Sequence, residues 1–175
     1  RIFNPLDMKD SGFYVKSQNL NRVAQSFEKV KLIDVTKPPK ILMGGSGGVS
    51  TVRDYARFTQ MLLNEGQLDG QRLLGPKTIK YMTSDHLGAI AEQPDAWYLP
   101  GPGYGFGLGF AVRKEKGRSP FPGSVGDYFW GGYAGTKFWV DPKEDLIVVL
   151  MIQNPAASSY IGGLIRTMVY QSIIN

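Results

Sequence analysis

The sequence predicts an α+β fold, an antiparallel β-sheet flanked by helices. Three observations predict it. Strand-like runs recur at hairpin spacing after residue 103. A helical apolar stripe closes the chain at 157–173. A second amphipathic helix stands well upstream of the sheet, at 52–64. With 175 residues, 42% hydrophobic and 20% charged, the chain can bury one sizeable core.

Residues 1–43 show little periodicity, and Pro38-Pro39 interrupts them. They predict loops and short strands. In VSTVRDYARFTQMLLNEG, Thr51 with Asp54 three residues later is a capping-box-like start. Tyr55, Phe58 and Leu62 form the stripe, and Gly66 is the stop signal. Leu68-Asp69-Gly70-Gln71 predicts a tiny hairpin. Pro76 suits the first turn of a helix over 76–83. Residues 84–103, rich in Pro, Gly and polar side chains, predict a long surface loop.

At Gly103 the period changes from helical to two. GYGFGLGF puts Gly103, Gly105, Gly107 and Gly109 on one face of a strand and Tyr104, Phe106, Leu108 and Phe110 on the other. A whole glycine face predicts close approach by another element. RKEKGRSPFPG reads as a charged connection, followed by strands at 124–130, 136–140 and 146–153, a four-stranded meander. The last run, LIVVLMIQ, has the continuous apolar character of a central strand. In the closing helix Ile161, Leu164, Ile165, Met168 and Val169 predict the sheet-facing stripe, and Gly162-Gly163 permits close approach. Residues 1–102 therefore form a helical and irregular part, and 103–175 the sheet with its covering helix, both within one domain.

Composition excludes several chemistries. The absence of cysteine removes disulfides, thiol nucleophiles and thiolate metal sites. A single histidine, His86, precludes a His-rich metal centre within this chain. No metal or other cofactor is expected. The net charge of +5 is scattered, with its largest bias in residues 1–40 and no stacking aromatics interleaved, so no nucleic-acid partner is expected. No apolar run approaches the roughly 20 residues of a membrane span. Arg1 opens RIFNPLDM, a context that predicts a fragment or processed chain.

A serine hydrolase needs a nucleophile, a base and oxyanion donors. No G-x-S-x-G elbow is present, since Ser46 lies in GGSGG without the strand-to-helix spacing. Ser26-Phe27-Glu28-Lys29 matches S-x-x-K formally, but in a charged, weakly patterned stretch. Ser84 and His86 are too close in sequence to converge, and His86 reads as a satisfied loop histidine. GGSGGVST lacks the lysine of a phosphate loop. Its glycines suit an amide-lined wall, tight packing or a hinge. FWGGYAG places Trp130 at a strand end before three glycines in five residues. The plain reading is a Gly-rich hairpin turn. The sharper one is a ledge whose backbone amides meet a substrate carbonyl.

Taken together, GGVSTVRDYARFTQMLLNEGQLDGQRLL, LGPKTIKYMTSDHLG, GYGFGLGF and GDYFWGGYAGTKFWVDPKEDLIVVLM resemble the serine β-lactamase and penicillin-binding-protein family, most nearly its class C β-lactamase-like esterases. The resemblance implies the C-terminal portion of a β-lactamase/DD-peptidase-like fold, including part of a helical subdomain. It also implies an acyl-enzyme hydrolase of small-molecule esters, amides or β-lactams. The family's S-x-x-K and catalytic tyrosine motifs precede the segment that RIFNPLDM resembles, so the nucleophile is expected on an N-terminal portion partnering this chain. Trp130-Gly131-Gly132 takes the place of the third motif, K-T-G, and Tyr133 that of a backbone oxyanion amide. The resemblance assigns Ser46 and Gly47 to the facing cleft wall. Tryptophan in place of lysine removes a partner for a β-lactam carboxylate. The alternative from another class is a non-catalytic binding or assembly module. Periplasmic, secreted and cytoplasmic locations all remain open.

Overall fold

The computed structural model describes residues 1–26, 30, 32–92 and 100–174. Its elements run α1 (Val52–Leu63), β1 (Gln67–Leu68), β2 (Gln71–Arg72), α2 (Pro76–Met82), β3 (Tyr104–Phe106), β4 (Ala111–Arg113), β5 (Tyr128–Gly131), β6 (Lys137–Asp141), β7 (Leu146–Leu150) and α3 (Ser158–Gln171). Strands β3 to β7 form one antiparallel sheet in sequence order.

Local chemistry explains the helical part. Thr51 caps α1 by accepting from the Asp54 amide, as its spacing predicts. Asp54 does not complete a capping box. Its Oδ2 instead accepts from the Asp10 amide (2.8 Å) and Ser11 Oγ (2.9 Å), tying the first residues to α1. Gly66 ends the helix at φ +93°, where a Cβ would overlap the Leu74 carbonyl. Asp69 and Gly70 both have positive φ, the geometry of the two-residue turn joining β1 to β2. Residues 1–43 form no strand among the described residues. They contain a 3₁₀ helix at Ser17–Arg22 and a single bridge from Gly12 to Val49.

The sheet has five strands rather than four. GYGFGLGF is not one strand but a hairpin, with Phe106 opposite Ala111. The Gly107 amide donates to the Phe110 carbonyl (2.7 Å), and Gly109 takes φ +91° to complete the turn. The charged connection therefore begins after Arg113. Close approach at the glycines is borne out at three positions: a Cβ on Gly103 would lie 2.9 Å from Arg118 Cβ, one on Gly105 would overlap the Asp85 carboxyl, and one on Gly107 the Met82 carbonyl. The predicted 84–103 loop lies partly outside the described residues, at 93–99; at its start Asp85 accepts from the amides of Leu87 (3.0 Å) and Phe106 (3.1 Å) and pairs with Lys114 (2.8 Å). That loop includes a 3₁₀ turn at Gly88–Glu92. Ser124–Asp127 precedes β5 rather than belonging to it.

One face of the sheet packs on α1 and the first residues. Leu6, Met8, Met61, Leu62, Ile79, Phe110, Val112, Tyr128, Phe138 and Val140 are its buried core. α3 packs differently from the expected apolar stripe. Its buried residues are Gly162 and Arg166, while Leu164 and Met168 are exposed. A buried carboxylate draws that helix face inward. Asp127 Oδ2 accepts from Arg113 Nε (2.7 Å) and Arg166 Nη2 (2.6 Å). On the neighbouring strand Asp141 accepts from the Tyr170 hydroxyl (2.6 Å) and the Ser124 amide (3.1 Å). Without Arg166 the buried Asp127 carboxylate would keep one guanidinium, Arg113, in place of two, so the helix turns Arg166 inward while Leu164 and Met168 stay exposed. β7, despite its apolar sequence, is an edge strand here, with every residue only partly buried.

Candidate functional site

The FWGGYAG segment forms the β5–β6 hairpin. β6 pairs with β5 as far as Gly131, which stands opposite Lys137. β4 pairs with β5 only at Tyr128 and Phe129. From Trp130 onward the side of β5 away from β6 has no strand partner among the described residues. The Gly132 amide donates to the Thr136 carbonyl (2.8 Å), and the Gly132 carbonyl accepts from the Gly135 amide (3.0 Å). Both polar groups of Gly132 thus point into the hairpin. No peptide among the described residues is cis. In a trans peptide the N–H opposes the preceding C=O. The Gly131 carbonyl and the Tyr133 amide therefore point outward, toward the open side. The Tyr133 amide donates to no acceptor among the described residues.

Glycine is required at specific points of this turn. A Cβ on Gly132 would overlap Thr136 Oγ1. Gly135 has φ +105°, and a Cβ there would lie 2.8 Å from Ile152 Cγ1 and 3.0 Å from the Asn154 carbonyl oxygen. The Asn154 amide donates to the Ala134 carbonyl (2.8 Å), and its side chain accepts from the Ala157 amide (3.1 Å). The hairpin is thereby latched to the start of α3. Trp130 is 36% exposed and packs edge-on against Phe106, with centroids 4.9 Å apart at 81°. Tyr133 is 79% exposed, so its phenol projects from the turn while its backbone stays in place.

The other sequence candidates fall apart from this hairpin. Ser46 is exposed, and its Oγ approaches Met43 Sδ (3.6 Å). Gly47 has φ +80°. A Cβ on Gly44, Gly45, Gly47 or Gly48 would meet nothing within 4 Å, so tight packing does not explain the GGSGG run. Among the described residues no hydrogen bond or ring contact joins 44–48 to 130–133. Ser26 has a buried Oγ without a partner among the described residues, and Lys29 lies outside them. Ser84 Oγ donates to the Lys80 carbonyl, while His86 bonds the Tyr81 carbonyl through Nε2. That pair does not converge, and His86 is a satisfied loop histidine.

Two features escaped sequence reasoning. The Arg113–Asp127–Arg166 cluster joins β4, the β5 approach and α3 beneath the hairpin. Burial raises the Asp127 carboxyl pKa against the pull of the two guanidiniums. Its members are 53 residues apart at most in sequence and carry no local spacing signal. Lys137, opposite Gly131, is half-buried against Gly162, and burial lowers its pKa. Its signal was its position one strand across from the glycines. No group of three or more metal-ligating side chains occurs among the described residues.

Comparison with known proteins agrees with this architecture. Two Mycobacterium tuberculosis proteins, Protein Rv1367c and Uncharacterized protein MT1414, are each 37% identical over 169 residues, covering 88% of this chain and 42% of theirs. EstCE1, described as a hydrolase with promiscuous acyltransferase activity, superposes with a TM-score of 0.75 at 24% identity over 97% of this chain and 48% of its own. A penicillin-binding-protein homologue from Caulobacter crescentus gives 0.69 at 21% identity, over 98% and 50%. Simvastatin synthase (LovD, a LovD6 mutant) from Aspergillus terreus gives 0.71 at 20% identity, over 97% and 47%. These structures share the fold. The chain spans about half the length of the proteins it matches. The Beta-lactamase family model matches residues 1–160. The chain therefore belongs to the β-lactamase family and carries its hydrolase fold.

Proposed function

We propose that this chain supplies one wall of the active site of a serine hydrolase that works through an acyl-enzyme. The single observation that carries the reading is the Tyr133 amide, directed outward and without an acceptor among the described residues where β4 no longer covers β5. A substrate carbonyl oxygen set against that amide meets a donor held in place by the Gly132 turn. In the reaction a serine Oγ attacks the carbonyl carbon and its proton passes to a base. The tetrahedral oxyanion is stabilised by Tyr133 N–H and a second backbone amide at the nucleophile. Collapse expels the alcohol or amine, which takes up the proton, and water then hydrolyses the acyl-serine ester. Loss of one such donor costs about 3 kcal/mol of transition-state stabilisation.

Gly131 and Gly132 keep the wall low enough for the substrate to reach the backbone. Trp130 gives an apolar flank in place of a charged one, which favours esters and amides without a carboxylate at that point. Ser46 and Gly47 line the opposite side. The nucleophilic serine, its lysine and the catalytic tyrosine lie on polypeptide outside residues 1–175. The acyltransferase description of EstCE1 supports acyl transfer as the chemistry of this fold.

The test is hydrolysis of p-nitrophenyl acetate by the 175-residue chain and by the full-length protein. The full-length protein hydrolyses the ester and the 175-residue chain does not. Activity in the 175-residue chain that disappears with Ser26→Ala would contradict the assignment. A full-length sequence without S-x-x-K would instead select a non-catalytic binding module.

A further inference from the structure

We propose that the loop over residues 36–48 docks the protein on an anionic lipid surface. Ile41, Leu42 and Met43 enter the headgroup boundary, and Lys37 and Lys40 sit over the lipid phosphates. The proposal is independent of the reading of residues 130–133 as a site wall.

The loop projects from a fixed base. The Val15 amide donates to the Val35 carbonyl (2.7 Å). Gly12 and Val49 exchange both backbone hydrogen bonds (3.0 and 2.8 Å). The chain thus leaves the body of the protein at Val35 and returns at Val49, both held by residues 12–15. Every residue from Thr36 to Ser46 is exposed. In the middle stand Ile41, Leu42 and Met43, which are 76%, 66% and 59% exposed. Single exposed apolar residues are ordinary on a protein surface, but three in succession at the middle of a projecting loop mark a contact surface. A Cβ on Gly44, Gly45, Gly47 or Gly48 would meet nothing within 4 Å, so the returning arm is open as well. Ile33, 68% exposed, adds apolar surface just before the base.

Charge selects the occupant. Lys37-Pro38-Pro39-Lys40 leads directly into the apolar tip. No Asp or Glu occurs between Asp34 and Asp54. Lys37 approaches Asp34 at 3.7 Å, but both side chains are exposed and water screens the pair. Lys40 has no ion pair among the described residues. Four of the net five positive charges of the chain fall in residues 1–40, on the approach to this loop. An aliphatic tip with lysines at its base and no carboxylate matches an anionic bilayer on both counts. The side chains partition into the boundary of headgroups and acyl chains, and the ammonium groups meet the negative surface potential. A nucleic acid would satisfy the lysines but leave the aliphatic tip in water. Pro38 and Pro39 fix their own φ angles, so less backbone freedom is lost on docking.

The experiment is cosedimentation of the full-length protein with vesicles of equal parts phosphatidylcholine and phosphatidylglycerol, set against vesicles of phosphatidylcholine alone. The wild type binds the anionic vesicles at low salt, does not bind the neutral ones, and is released as salt is raised. Ile41→Ser with Leu42→Ser lowers the ratio of bound to free protein about tenfold, and Lys37→Gln with Lys40→Gln does the same. These side chains are exposed, so both variants keep the wild-type melting temperature. Trypsin cuts the free wild type at the Lys40–Ile41 bond, and anionic vesicles protect that bond, a reading that stands should a variant fail to fold. Absence of binding, equal binding to neutral vesicles, or undiminished binding by either variant overturns the proposal. Resistance of the Lys40–Ile41 bond in the free protein would give the tip to other polypeptide of the same protein. A wild-type dimer made monomeric by the serine substitutions would give it to a second copy. Either result also overturns the proposal.

Discussion

At Gly135 the hairpin depends on a single backbone conformation. Its φ of +105° is one that side-chain-bearing residues rarely adopt, and Ile152 and the Asn154 carbonyl crowd the position a Cβ would take. Gly135→Ala is expected to cost about 1–3 kcal/mol of stability. Because the same turn orients the Tyr133 amide, ester hydrolysis by the full-length protein should fall further than stability alone explains. Urea denaturation together with kcat measurement checks both, and a variant with wild-type kcat would contradict the role given to the turn. Asp85 is a second residue with a measurable signature. Burial pushes its carboxyl pKa up, but the hydrogen bond from Lys114 and three backbone amides outweigh it and hold the pKa at about 2, against 3.8. A lowered folded-state pKa stabilises above the unfolded value and is lost as pH falls through the folded one. Asp85→Asn should therefore cost about 1–2 kcal/mol at neutral pH, a difference that shrinks toward zero between pH 4 and 2. A difference independent of pH would show that shape, not charge, ties Leu87 and Gly88 to β3.

At the level of elements, α3 is fixed to the sheet by charge more than by its apolar stripe. Arg166 donates to Asp127 and to the Pro122 carbonyl (2.8 Å), and its guanidinium lies over the Trp139 ring (5.2 Å). Asp127 Oδ1 has no partner of its own among the described residues. Arg166→Met leaves a buried carboxylate with one guanidinium and should cost about 3 kcal/mol. Chemical denaturation tests this, and a loss below about 1 kcal/mol would mean that the apolar contacts alone seat the helix. This pairing also shows what the sequence could and could not reveal. α1, α2 and the β1–β2 turn were legible because caps, stop signals and turn glycines act within a few residues. The strands from Tyr128 onward were legible from short apolar and aromatic runs separated by turn signals, although the apolar run at 146–150 is an edge strand and not the central one it suggested. The GYGFGLGF hairpin was not, because perfect alternation conceals a turn whose evidence is a positive φ at Gly109. The sheet-facing side of α3 was not, because the attraction comes from Asp127, 39 residues away. At the candidate site, glycine spacing by itself read as a plain hairpin turn, and the family resemblance singled out Trp130–Tyr133. The resemblance named the Tyr133 amide, and its outward direction follows from the Gly132 carbonyl accepting from the Gly135 amide.

For the molecule as a whole, the fold is that of a β-lactamase-family hydrolase, and the chain spans about half the length of its relatives. Its sheet exposes two incomplete features. β7 is an apolar edge strand, and β5 is open beyond Phe129. The second is the one on which the proposed function rests, since the Gly131 carbonyl and Tyr133 amide point toward that open side. In this account the chain contributes the oxyanion wall while the nucleophile stands on other polypeptide of the same protein. The most direct test is covalent labelling of the full-length protein with a p-nitrophenyl phosphonate, followed by peptide mapping by mass spectrometry. The account predicts a single labelled serine, the first residue of an S-x-x-K sequence outside residues 1–175. Labelling of Ser26, Ser46 or any other serine within these residues, or no labelling at all, would contradict it.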